Sequence, residues 1–177
     1  WDKVKGRLKE ITFSEPVEQL LFLASERLSQ LNNNKKGDDV NTLFQIIDEA
    51  KVFPLKDYFD KNFAKRLLPF DILSASILTL SLQKYGQNER SLFSFIEGND
   101  YKGLKDINIV NGFYSLAEVY DYLIHNYYSF LTTKFNPHYT QWAAIRTAIE
   151  RVEGVFEGNL NNASKLIKAI GLLNIFA

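Results

Sequence analysis

Four consecutive polar residues, Gln87, Asn88, Glu89 and Arg90, are the strongest candidates in the sequence for a functional site. They follow residues 72–83, a stretch without a single charge. Together they carry two amides, a carboxylate and a guanidinium, more polarity than a solvated surface needs. We single out Arg90 because helix capping, the simplest explanation of such a cluster, does not require a guanidinium.

The alternative interpretation of these residues is a corner between two helices. Gly86 would end one helix in the left-handed conformation, Asn88 would cap the next, and Glu89 would occupy its first turn. The run that follows contains Phe93 and Phe95, two positions apart. Because residues two apart do not share a helix face, at least one of the two should pack on a neighbouring element.

The elements that must position this cluster are helices. Apolar residues recur at helical spacing throughout the chain, and no alternating strand pattern occurs. Ser115 and Glu118 form a capping-box pattern before one of the apolar stripes. Residues 30–41 are polar, which predicts a loop, and residues 98–112 are rich in Gly, Asn and Asp, which predicts irregular structure or one short helix. Helices are predicted over 15–31, 42–52, 55–67, 70–85, 89–97, 116–131, 137–155 and, capped by Asn161 or Asn162, 162–173. The predicted fold class is all-α, a single irregular bundle of about seven helices.

Several kinds of active site are disfavoured by the sequence. A Gly-rich phosphate loop is missing, so the chain alone should not bind ATP. The histidines, His125 and His138, lie on different elements and lack the spacing of metal ligands, so we expect no metal site. Carboxylate pairs such as Asp57 and Asp60 have basic neighbours and fit a solvated surface. We therefore expect no catalytic residue and no enzyme activity in this chain.

Composition narrows the classes of partner. Lys and Arg number 21, as do Asp and Glu, so the net charge is zero and nucleic acid is an unfavoured partner. The longest charge-free run is shorter than the roughly 20 residues that span a bilayer. The chain has no Cys, which is compatible with a reducing cytoplasm. We expect a cytoplasmic protein without a membrane partner.

The ends of the sequence suggest a piece of a longer chain. Trp1 stands where a natural chain has Met, and no Met occurs anywhere. Either this is an excised fragment or modified methionines are absent from the sequence. We expect residues 1–177 to be one helical domain of a larger protein, with subdomains 1–67 and 68–177 as the alternative.

Four stretches together resemble the helical region of large bacterial P-loop ATPases of the AAA-like kind, some associated with phage-defence loci. They are Trp1-Asp2-Lys3-Val4-Lys5-Gly6-Arg7, Phe13-Ser14-Glu15-Pro16, Tyr85-Gly86-Gln87-Asn88-Glu89-Arg90-Ser91-Leu92-Phe93-Ser94-Phe95 and Ala169-Ile170-Gly171-Leu172-Leu173-Asn174. The resemblance implies an ATP-binding loop upstream of Trp1, and ATP with Mg²⁺ bound by the parent protein. It implies that this chain is a lid that docks on the remainder of its own longer chain.

The resemblance also assigns roles to residues. An arginine from a helical element can stabilise phosphate charge in such ATPases, so Arg90 is the first nucleotide-sensing candidate and Arg7 the second. Gln87, Asn88 and Glu89 accompany Arg90 in that role. The expected function is a non-catalytic lid or regulatory domain. The alternative is a helical protein-interaction module, without a nucleotide role, that binds a partner through exposed Tyr and Phe.

Overall fold

A computed structural model describes residues 16–31, 38–51, 59–87, 89–107, 113–155 and 158–176. Within these ranges the chain forms eight helices and no β-strand, apart from one isolated bridge between Phe70 and Tyr114. The all-α prediction is confirmed. The helices are α1 (Val17–Leu31), α2 (Asp38–Ala50), α3 (Lys61–Arg66), α4 (Ile72–Tyr85), α5 (Glu89–Glu97), α6 (Leu116–Leu131), α7 (Tyr139–Val155) and α8 (Leu160–Phe176).

Helix α4, which is uncharged from Ile72 to Gln83, is the centre of the bundle, as its composition predicts. It packs against α1, α5, α6 and α8. Its side chains from Ile77 to Thr79 are almost fully buried on all sides. Such a helix has no solvated face and no polar stripe. A continuous core of buried apolar side chains runs through the bundle from Leu20 on α1 to Ile175 on α8.

Short-range polar contacts fix where the helices begin. The capping box of α6 is confirmed, since the Ser115 backbone N–H donates to Glu118 Oε2 at 2.9 Å. At α4 the cap is Asp71, whose Oδ1 accepts from the Ser74 backbone N–H at 2.8 Å. The start of α8 differs from the prediction. Asn159, rather than Asn161 or Asn162, caps it by accepting from the Asn162 N–H at 3.2 Å.

Two boundaries lie elsewhere than the sequence suggests. Helix α2 begins at Asp38, four residues before the predicted start, inside the segment predicted as a polar loop. Helix α3 is shorter than the predicted 55–67, and residues 52–58 lie outside the described ranges. None of the described helices is long and apolar enough to cross a membrane.

The turns at 98–107 are held to the bundle by two buried tyrosines. Tyr122 on α6 donates its hydroxyl to Asp100 Oδ2 at 3.0 Å, and Ser94 Oγ donates to Asp100 Oδ1 at 3.0 Å. Tyr114 donates its hydroxyl to the Lys102 carbonyl at 2.6 Å. This part of the chain is irregular, as its Gly, Asn and Asp content predicts.

Candidate functional site

The polar cluster between α4 and α5 forms a tight corner. Gly86 ends α4 by donating its N–H to the Leu82 carbonyl at 2.9 Å. Its φ of −106° is extended, so the predicted left-handed terminator is wrong. Glycine is needed here for space. A Cβ at Gly86 would lie 2.6 Å from Ser91 Oγ, which accepts from the Gln87 N–H at 2.7 Å.

The predicted nucleotide-sensing residues are only partly placed by the structure. Arg90 is exposed in the first turn of α5, and Gln87 is exposed just before it. Arg7, Asn88 and the side chain of Glu89 lie outside the described part of the chain. No described contact brings Arg90 together with another of the predicted site residues. Their joint role in nucleotide sensing stays a prediction.

The two phenylalanines of α5 differ in burial, and one of them packs on neighbouring elements as predicted. Phe95 is fully buried and Phe93 half-buried. The Phe95 ring makes an edge contact with Tyr122 at 4.6 Å between centroids and with Tyr114 at 5.4 Å. These rings belong to neighbouring elements, so Phe95 serves the core and no ligand role is needed to explain it.

The end of α4 leads directly to a second region of interest. The Tyr85 ring packs edge-on against Trp142 of α7, whose indole Nε1 donates to the Tyr85 hydroxyl at 3.3 Å. Lys84 Nζ lies 2.5 Å from His138 Nε2, just before α7. The Lys84 ammonium also lies over the ring of Phe176 at the end of α8. Three helix ends therefore meet beside the connection between α6 and α7.

Aromatic side chains are exposed at this connection. Phe135 is 91% exposed, and three other rings are more than a third exposed. We call this set the aromatic end; its members are Tyr128, Phe130, Phe135 and Tyr139. Single exposed apolar residues are ordinary on protein surfaces, but several large rings within one short stretch of chain mark an interaction surface.

A groove of about 480 Å³ runs between α6 and α7 from the aromatic end. We call it the α6–α7 groove. Its floor contains Tyr120 and Trp142, whose rings stack with centroids 5.7 Å apart. Burial raises the pKa of Tyr120 to about 12, so its hydroxyl stays neutral at physiological pH. Ala143 and Thr147, one turn apart on α7, are small and leave the groove open.

Arg146 gives this groove its charge. Its Nε donates to Glu150 Oε1 at 2.8 Å on the same helix, and its NH1 reaches the Tyr128 hydroxyl on α6 at 3.4 Å. The guanidinium therefore spans the groove. It has five N–H donors, and these contacts leave most of them free for another acceptor. Arg146 was not among the predicted site residues.

A second groove of about 510 Å³ lies between α2 and α8, over the beginnings of α4 and α6. It is lined mainly by apolar side chains, and Leu166 on its rim is 63% exposed. Asp71 lies at its base, where burial raises the pKa of the carboxyl group despite two hydrogen bonds from Ser74. Since those bonds cap α4, a structural role explains Asp71 fully.

Neither a metal site nor a known relative assigns a function to this chain. The described residues contain no group of three His, Asp or Glu side chains that could hold a metal ion. No family model, no curated protein and no solved structure matches this chain. The candidate site is therefore defined by the geometry of the aromatic end and the α6–α7 groove.

Proposed function

We propose that this chain is a helical protein-interaction module that binds a partner along the α6–α7 groove. It works by binding and carries out no reaction of its own, and the cytoplasm is its proposed location. The observation that carries the proposal is the exposure of the aromatic end, led by Phe135 at 91%. Two of its members, Tyr128 and Tyr139, line the groove. Aromatic anchors seated in such grooves supply much of the affinity in protein interfaces.

Site-specific photo-crosslinking in the cells that make the protein tests this proposal. A photoreactive phenylalanine replaces Phe135 in one variant and Ile46, which is 57% exposed on α2, in the control. We expect a discrete protein adduct from position 135 and none from position 46. Ala143→Gln, which fills the groove, should remove the adduct. Ala144→Gln, exposed but outside the groove lining, should leave it. An adduct-free position 135 contradicts the proposal.

A lid on a larger ATPase is the second candidate function. One observation favours it: Arg90 is exposed and forms no ion pair with the rest of the described chain. An arginine acting on phosphate must be accessible in this way. The test is Arg90→Ala in the parent protein, with Arg151→Ala on exposed α7 surface as the control. Loss of an arginine finger lowers ATP turnover by the order of a thousandfold. Unchanged turnover in a folded variant excludes that role.

A further inference from the structure

We infer that the partner presents a short segment of about ten residues in which carboxylates flank bulky apolar side chains, laid along the α6–α7 groove. The inference rests on the proposed function and specifies its ligand. The apolar side chains would cover the Tyr120–Trp142 floor. The carboxylates would face Arg146 and Lys134, which lies in the connection between α6 and α7.

The length of the groove sets the length of the segment. Its lining extends from Tyr120 to Leu131 on α6 and from Tyr139 to Glu150 on α7. At about 1.5 Å per helical residue each of these stretches measures roughly 16 Å. A peptide of two to three helical turns, or a shorter extended one, matches that span. The small side chains of Ala143 and Thr147 let it approach α7 closely.

The distribution of charge selects an acidic segment. From Tyr122 to Ile149 the chain has no Asp or Glu, while Lys134 and Arg146 carry positive charge there. The carboxylates that bound this stretch are both paired: Asp121 with Lys168 at 2.7 Å and Glu150 with Arg146 at 2.8 Å. Glu150 lies at the end of the groove lining away from Lys134, so the partner's carboxylates should lie toward the connection between α6 and α7.

Arg146 is suited to hold a carboxylate in this position. Glu150 occupies its Nε and Tyr128 contacts its NH1, which keeps the guanidinium across the groove. The remaining N–H groups of its fork can donate to both oxygens of one carboxylate. A held guanidinium loses less conformational entropy on binding than a freely rotating one.

A protein partner fits the charges better than a nucleic acid. Nucleic-acid binding depends on neutralising several phosphates along the strand. Here the chain is neutral overall, and from Tyr122 to Ile149 its cations are Lys134 and Arg146, the second of which is paired with Glu150. Few cations remain to follow a phosphate backbone.

Peptide display lets the groove itself select the chemistry of its ligand. Random dodecapeptides are selected on the whole chain, with counter-selection on the double variant Ala143→Gln, Thr147→Gln. The affinities of enriched peptides are then measured by fluorescence anisotropy. We expect enriched peptides to be net acidic with bulky apolar residues. Their Kd should rise about tenfold with Arg146→Gln and stay unchanged with the control Arg151→Gln.

Each other outcome has a defined meaning. One outcome is that the enriched peptides are neutral or basic and still bind the wild type better than the double variant with the filled groove. That result overturns the inference that the ligand is acidic and leaves the proposed function standing. Failure of any peptide to discriminate the wild type from the filled groove overturns both. A twelve-residue oligothymidine that binds more tightly than the enriched peptides, in the same salt, overturns the assignment to a protein partner.

Discussion

Gly171 on α8 lies against Ile145 on α7 so closely that a Cβ added to the glycine would fall 2.4 Å from Ile145 Cγ1 and 2.5 Å from Ile145 Cδ1. Ile145 is buried, so its side chain has little room to withdraw. The approach of α7 to α8 at this point depends on the missing side chain. This contact holds α8 close to α7, the helix that carries Trp142 and Arg146.

We expect Gly171→Ala to lower the free energy of unfolding by about 1–2 kcal/mol, because the overpacking cost exceeds the gain in helix propensity. Gly154→Ala is the matched control on α7, where an added Cβ meets nothing within 4 Å. That variant should be stabilised by about 0.5–1 kcal/mol. Urea denaturation measures both. Equal stabilisation of the two variants contradicts the close contact.

The close contact illustrates what the sequence can and cannot predict. The buried helix α4, the capping box of α6 and the all-α class follow from local patterns, and the structure confirms them. Gly171 resembles any other glycine in a helical pattern until its neighbour on α7 is known. Likewise, Asp38 opens a helix within a stretch whose Asn, Lys and Gly content indicates a loop.

The candidate site was harder to predict than the fold. Tyr120 and Tyr128 are on one predicted helix, and the sequence does not say which of its tyrosines would be exposed to a partner. The structure places Tyr120 in the core and exposes Tyr128. Arg146 was missed because its contact with Tyr128 joins two helices. The missing acidic residues between Tyr122 and Ile149 were the available signal.

The carboxylate of Asp100 should stabilise the turns that follow α5. Asp100→Ala leaves the buried Tyr122 hydroxyl without its acceptor, and we expect a loss of about 2 kcal/mol in the free energy of unfolding. Asp100→Asn keeps an acceptor oxygen and should cost less. In a Tyr122→Phe background, Asp100→Ala should cost at least about 1 kcal/mol less than in the wild type. Full additivity of the two changes would show that the hydrogen bond contributes nothing.

His138 should make stability depend on pH in the mildly acidic range. Burial, and next the charge of Lys84, lower the pKa of His138 below its ordinary value of 6.5. Its Nδ1 is also buried without a hydrogen-bond partner among the described residues. The unfolded chain binds the His138 proton more tightly than the folded protein does. The contribution of neutral His138 to the free energy of unfolding is therefore complete above about pH 6.5 and is lost as pH falls through the lower, folded pKa.

We therefore expect the stability of the wild type relative to His138→Gln to fall between pH 7 and pH 5. Chemical denaturation at several pH values measures the difference. His125→Gln is the control, because His125 is exposed on α6. Its ring makes an edge contact with Tyr101 and is remote in sequence from Lys84 and His138. A wild type that gains stability relative to His138→Gln on acidification would contradict the assigned direction.

Asp71 should act in the opposite direction, because burial raises the pKa of its carboxyl group above the ordinary 3.8. The folded protein then binds this proton more tightly than the unfolded chain does. Its contribution to stability is greatest below about pH 3.8 and declines as pH rises toward the folded pKa. We expect Asp71→Asn, which keeps an oxygen to accept from the Ser74 N–H, to gain stability relative to the wild type over that interval.

Two further variants separate this electrostatic effect from the loss of a cap. Asp71→Ala removes the acceptor for both Ser74 bonds and should cost at least about 1 kcal/mol at every pH. Asp60→Asn is the control for a capping carboxylate that is not buried, because Asp60 caps α3 and is exposed. Denaturation curves from pH 3.5 to 7 compare all three. An Asp71→Asn variant that loses stability relative to the wild type as pH rises would mean that the Ser74 hydrogen bonds outweigh burial and hold the carboxylate ionised.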